Sequence, residues 1–306
     1  MTGTVNGTWP FLDPRMDRER VVRICYVVAR LGYFWCADCG FIFFKRKNTA
    51  RQYPARLVKR GLLETFPRRS LADSHVYRVS ERALEWLVDE IGCDPSDVWR
   101  PASLRRLNVP AARAMNRFWC SLVAACEGSP IRLHRFVPER QLRRFKAPGC
   151  PVVPDALFVL EASAEGGAEG ASRLPWFVEQ DNSTERLKVW AEKIRGYRSN
   201  LPSGRLYGMR DWLLLVLAPT RKRAANISRT AVAAGGGDFT YVAIAAVLEG
   251  GHALDAVLWR ASTLAADANA VPTDTLVSAA RSTSRPTSTT PVRPDGLSQH
   301  LSGGIP

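Results

Sequence analysis

The sequence predicts a mixed α/β (α+β) chain: two folded modules followed by a disordered C-terminal tail. Three observations carry that prediction. Apolar residues recur at helical spacing early in the chain, between short turn-bounded strands. From about residue 111, apolar strands alternate with helices. Beyond residue 261 the chain becomes rich in Ser, Thr, Ala, Pro and Gly and loses periodicity. The 306 residues suffice for two domains, and a 46% hydrophobic fraction excludes a wholly disordered protein. No apolar run reaches the roughly 18–20 residues of a membrane span. Seven cysteines at irregular spacing suit free thiols in a reducing compartment. The N-terminus lacks a basic region followed by an apolar one, so the expected location is cytoplasmic.

Residues 1–16 read as an N-terminal arm. The first module, 17–92, opens with a helix over 17–31, in which Val21, Val22, Ile24, Cys25, Val28 and Leu31 share a face. Asp17 is its expected N-cap, and Gly32 ends it. A compact apolar segment, Tyr33 to Phe44, precedes Lys45-Arg46-Lys47. Asn48 is placed to cap a helix from Thr49 to Arg60, closed by Gly61. Strands are expected at Leu62 to Phe66 and His75 to Val79, joined by the polar turn 67–74. Ser80 is placed to cap a last helix, Glu81 to Ile91.

With the apolar segment in the place of the second helix, three helices, a two-stranded ribbon and a closing helix is the layout of a winged helix-turn-helix. The stretches LVKRGLLE (Leu57 to Glu64) and VYRVSERALEWL (Val76 to Leu87) resemble the third helix, wing and closing helix of that family. The resemblance implies double-stranded DNA as partner. Arg51, Gln52, Arg56 and Lys59 would face the major groove, and Arg68 and Arg69 at the wing tip would meet phosphate or minor groove. Arg and Gln suit bidentate contact with guanine and adenine edges. Charge points the same way. The net charge is +14, and residues 1–150 hold 27 Lys and Arg against 14 Asp and Glu, whereas residues 151–306 hold 16 against 15. A solvated basic face, or a winged helix serving protein contacts alone, is the competing reading. Many winged helices pair on two-fold sites, which makes a homodimer a candidate assembly. A membrane surface is not an expected partner.

Residues 93–110, with Pro95, Pro101 and Pro110, read as a linker. The second module, 111–261, starts with a helix from Ala111 to Cys126 and a strand from Ile131 to Phe136. A basic loop, Arg140 to Lys146, leads to a strand ending at Leu160. A small-residue hairpin, Glu161 to Arg173, joins it to a strand ending at Asp181. A helix from about Thr184 to Arg198, a strand at Trp212 to Ala218, a helix within 221–234 and a strand from Phe239 to Leu248 complete a central mixed sheet. Residues 262–306 are the expected tail.

The chemistry lies in this second module. Asp155 follows Pro154 directly at a strand, and Glu179 and Asp181, two apart on another strand, point to one face. Three converging carboxylates repel one another unless a divalent cation joins them, and oxygen-rich clusters suit Mg²⁺ or Mn²⁺. Lys193 and Tyr197, four apart, share a face of the following helix. A lysine beside a metal-held phosphate can orient water or stabilise developing charge.

The run PDALFVL…FVEQDNSTERLKVWAEKIRGY resembles the replication-relaxation family of plasmids and mobile elements. It does so at Pro154-Asp155, Glu179, Asp181, Thr184, Lys193 and Tyr197, over roughly residues 17–250. That family couples a winged helix to a domain similar to the PD-(D/E)XK nucleases. The resemblance implies Asp155 and Glu179 as metal ligands, with a lysine completing the site. The usual lysine two residues after the glutamate is replaced by Asp181, so Lys193 would return the ammonium from a different backbone position. The catalytic set so implied is Asp155, Glu179, Asp181 and Lys193.

Other motifs carry less. Cys36 and Cys39 have ligand spacing without a second pair, and Gly235-Gly236-Gly237 reads as a turn, not a nucleotide cradle. The four histidines form no pattern. Glu139 reads as a surface carboxylate with an auxiliary acidic role as the alternative. The expected function is DNA binding in plasmid or mobile-element replication, relaxation or mobilisation, with a Mg²⁺- or Mn²⁺-dependent nicking site. The alternative is a non-catalytic accessory or transcriptional regulator carrying a degenerate nuclease-like domain.

Overall fold

The computed structural model describes residues 17–35, 40–44, 47–66, 75–89, 91–102, 109–127, 129–145, 152–162, 172–200, 206–248, 253–255, 257–272, 274–276 and 278. The chain is a mixed α+β fold that divides into two compact units at Asn116/Arg117.

In the first unit, α1 (Arg18–Leu31) starts where the Asp17 carboxylate accepts from the Arg20 backbone N–H at 3.2 Å. It ends at Gly32, whose φ of 76° suits glycine and whose absent Cβ leaves room for the Trp99 ring, 2.3 Å from where a Cβ would stand. Val21, Ile24, Cys25 and Val28 are buried. Next come β1 (Phe34–Trp35), a 3-10 turn (Gly40–Ile42) and α2 (Lys47–Lys59). Gly61, at φ 70°, turns the chain into β2 (Leu63–Thr65). β3 (Val76–Val79) and α3 (Glu81–Asp89) close the unit. The Ser80 hydroxyl accepts from Ala83 N–H at 3.1 Å and donates to the Gly61 carbonyl at 2.6 Å, so it caps α3 while tying it to the end of α2.

Three details differ from expectation. The sheet has three strands, in the order β1-β3-β2, because Phe34 and Trp35 pair antiparallel with Tyr77 and Val76. A two-residue strand leaves no alternation to detect. Helix α2 already includes Lys47, so Asn48 lies inside it and not at its cap. The first ten residues of the expected linker pack onto this unit. Trp99 N–H donates to the Ala29 carbonyl at 2.8 Å, and the buried Asp97 carboxylate stands 3.5 Å from the buried Arg30 guanidinium. Arg78 reaches the Pro101 carbonyl, and both Arg78 and Arg100 pair with Glu64. The wing-tip turn, 67–74, lies outside the described residues.

The division between the units falls within α4 (Val109–Cys126). In the second unit Phe118 packs edge-on to Phe158, and Trp119 to Phe136. The strands β4 (Ile131–Pro138), β5 (Ala156–Ala162) and β6 (Ser172–Gln180) run antiparallel. Helix α5 (Glu139–Arg144) lies between β4 and β5. Helix α6 (Leu187–Arg198) crosses to β7 (Leu213–Ala218), and α7 (Arg221–Ala233) to β8 (Thr240–Ile244), both parallel to the strand before. All six residues of β7 are buried, as a parallel central strand requires. The antiparallel β9 (Val257–Arg260) and β10 (Asp274–Thr275), with α8 (Ala261–Ala266) between them, complete a seven-stranded sheet in the order β10-β9-β8-β7-β6-β5-β4.

Here too the structure departs from the expected elements. The stretch from Arg140 to Arg144 is helical, held down by buried Gln141 and Leu142. The strand expected to end at Leu248 ends at Ile244 and passes into a 3-10 turn. The fold also continues past 261. Leu264 and Leu276 are buried, and the Trp259 indole N–H donates to the Ala270 carbonyl at 2.9 Å, pinning residues that composition alone assigns to the tail. Residues 279–306 lie outside the described residues. Among those described, no helix is long and apolar enough to cross a membrane.

Candidate functional site

The antiparallel register of β5 and β6 pairs Ala156 with Val178. One step further, Asp155 stands opposite Glu179, so their side chains share the sheet face that α6 covers. The Asp155 backbone is fixed on both sides: its N–H donates to the Val178 carbonyl at 3.0 Å, and its carbonyl accepts from Glu139 N–H at 2.9 Å. Its carboxylate Oδ2 accepts from Gln180 N–H at 2.7 Å.

Glu179 is 1% exposed, and both of its oxygens are engaged. Lys193 Nζ donates to Oε2 at 2.8 Å, and the Tyr197 hydroxyl donates to Oε1 at 2.7 Å. The i,i+4 spacing of Lys193 and Tyr197 on α6 brings two donors to one carboxylate. Lys193 also donates to Glu185 Oε1 at 3.0 Å and lies 5.1 Å from the Trp190 ring centroid.

Asp181 follows a different path. Its carboxylate is fully buried and receives a forked pair of bonds from Arg223, at 2.7 and 2.9 Å, and one from the Trp190 indole N–H at 3.3 Å. Its charge is thus matched by a guanidinium, and it stands apart from the pair formed by Asp155 and Glu179. Among the described residues, no group of three or more His, Cys, Asp or Glu side chains is placed to hold a metal ion. The expected convergence of three acids is replaced by a facing pair plus one neutralised acid.

Electrostatics mark the pair. Burial first, and then the Asp155 charge, push the Glu179 carboxyl up to about 7, against the pull of Lys193 and Tyr197. Burial likewise raises Asp155, with Glu139 and Glu185 adding to it and the Gln180 N–H and Lys193 opposing. Burial works against the Lys193 charge, yet Glu179 and Glu185 outweigh it and hold the ammonium above its ordinary range. Desolvation lifts Tyr197 well above the usual phenol value, so its hydroxyl stays a donor.

Raised carboxyls carry a stability consequence. The folded chain retains protons that the unfolded chain releases, so this contribution is complete below pH 4.5 and is lost as pH rises through about 7. Thermal unfolding across that window is expected to show stability falling with pH, with a shallower fall in Asp155→Asn. Parallel slopes for the two proteins would contradict the coupling.

Two facing carboxylates fit the donor chemistry of Mg²⁺ or Mn²⁺. Such ions take one or two protein carboxylates and complete their shell with water and phosphate. Burial lifts Glu179 first, and a divalent charge relieves the repulsion from Asp155 that adds to it.

Gln52, Arg56 and Lys59 are exposed on α2. The Arg51 side chain, Arg68, Arg69, Cys36 and Cys39 lie outside the described residues. Lys188 is exposed, and Glu139 pairs with Arg143 while facing Asp155 closely enough to influence it. Sequence reasoning missed Glu185, Trp190 and Arg223. Trp190 and Lys193 are three apart, a helical spacing that places them side by side. Arg223 lies 42 residues from Asp181 and carries no local signal.

A family model described as replication-relaxation matches residues 36–209, more than half of the chain. No curated protein and no solved structure matches it.

Proposed function

Because the chain belongs to the replication-relaxation family, we propose that it binds double-stranded DNA of a plasmid or mobile element and nicks it during replication or relaxation. The observation that carries this reading is the facing pair Asp155 and Glu179 with Lys193 Nζ at 2.8 Å from Glu179. The order helix, strand, short helix, two strands, helix, parallel strand, with β4, β5 and β6 antiparallel, supports a PD-(D/E)XK-like domain around that pair. In the first unit, three strands and the helices α1 to α3 support a winged helix.

Asp155 and Glu179 would hold the cation, which when bound supplies positive charge to the oxygens of the phosphodiester under hydrolysis. The chain's own residues do the rest. Tyr197 fixes the Glu179 carboxylate, and Glu179 with Glu185 aims the Lys193 ammonium. Lys193, a quarter exposed, can meet a phosphate oxygen as its charge develops.

A second reading has its own observation. Both Glu179 oxygens are already bonded, and Asp181 is neutralised by Arg223, an arrangement that also suits a retired site in a DNA-binding accessory protein or regulator. Incubating supercoiled plasmid with the protein, Mg²⁺ or Mn²⁺, and an EDTA control separates the two. Metal-dependent nicked circles support the first; retarded, uncut plasmid supports the second.

DNA binding is expected to fall with salt, and Arg56→Ala and Lys59→Ala each to reduce the log–log salt slope by about 1, since each removes one cation from the DNA-facing helix. Fluorescence anisotropy over a salt series measures this. Slopes unchanged in both variants would remove α2 from the interface.

A further inference from the structure

The sequence groups Asp181 with the metal-binding acids, but its contacts give it other work. Two chains of contacts lead from it to Lys193. In the first, Arg223 forks onto the Asp181 carboxylate and also donates from Nη2 to the Glu185 carbonyl at 2.6 Å, while the Glu185 carboxylate accepts from Lys193 at 3.0 Å. In the second, Asp181 accepts from the Trp190 indole N–H, and the Trp190 ring lies under the Lys193 ammonium. Between the two acids the backbone makes an irregular loop, 181–186, in which Ser183 has a φ of 61°. A non-glycine residue in that region is held by its surroundings.

We propose that Asp181 and Arg223 form a clamp on loop 181–186 that, through Glu185 and Trp190, positions the Lys193 ammonium against Glu179. Asp181 is therefore a positioning residue and not a cation ligand. The inference rests on the nicking role of Lys193 for its functional meaning, but not for its geometry.

Amine labelling keeps these apart. The full chain is treated with a limiting amine-acylating reagent, and the rates at Lys193 and Lys188 are read by mass spectrometry. Both lysines lie on α6, and Lys188, exposed and outside the network, is the internal reference. Losing the charge-assisted bond from Glu185 is expected to raise Lys193 labelling relative to Lys188 by about tenfold in Glu185→Gln, and Arg223→Lys, which releases the Glu185 carbonyl, to raise it in the same direction. Glu185 is only partly buried, so its variant keeps the test alive if Arg223→Lys does not fold. In nicking, Glu185→Gln is expected to lower the rate at saturating plasmid without changing the plasmid concentration that gives half that rate. A split of that kind is not produced by general loosening.

An unchanged Lys193:Lys188 ratio in Glu185→Gln would overturn the clamp, as would an equal rise at both lysines. Raised Lys193 labelling in a protein that never nicks plasmid supports the clamp and overturns the nuclease reading. Nicking with an unchanged ratio does the reverse.

Discussion

Asp155→Ala and Glu179→Ala are each expected to lower metal-dependent nicking by at least about a hundredfold, the scale on which loss of one preorganised charge-stabilising group is felt. Plasmid retardation should survive both. The backbone of Asp155 is tied by its own N–H and carbonyl, so truncating the side chain removes a carboxylate and one bond from Gln180 without freeing the strand. Truncating Glu179 also takes the acceptor of the Tyr197 hydroxyl and one of the two carboxylates that hold Lys193. Glu179→Gln is the cleaner partner variant, since it keeps the shape and removes the charge. Retained nicking in both alanine variants would place the chemistry elsewhere in the chain.

Asp181→Ala should produce the largest loss of stability. A fully buried carboxylate with a forked guanidinium partner is costly to break from one side, because the remaining charge loses its match; such losses run to about 3–5 kcal/mol. Arg223 is 16% exposed, so water recovers part of its solvation and the lower end of that range is expected. The Trp190 indole N–H loses its acceptor as well. Urea denaturation of Asp181→Ala beside the parent chain measures the effect. A change below about 1 kcal/mol, the worth of an exposed pair, would mean that the contact is peripheral.

The sequence made some of this legible and hid the rest for physical reasons. Caps and glycine stops are local, so Asp17, Gly32, Gly61 and Ser80 marked their elements correctly. Two-residue spacing put Glu179 and Asp181 on one face, and four-residue spacing did the same for Lys193 and Tyr197. The strand context brought Asp155 opposite Glu179. Face alone, however, does not set a carboxylate's partner. Asp181 sits beyond the last residue of β6 and meets an arginine 42 residues away, a pairing that only the parallel crossover creates. The two-residue β1 and β10 carry too few residues for a pattern, and α8 is rich in the small residues that composition assigns to a tail.

Calorimetric titration of the DNA-free chain with Mn²⁺, run beside Asp155→Ala and Glu179→Gln, decides whether the facing pair holds a cation. The expected result is one cation bound per chain, lost or strongly weakened in both variants and retained in Lys59→Ala. No binding by the parent chain, or equal binding in all of them, would contradict a cation site at Asp155 and Glu179.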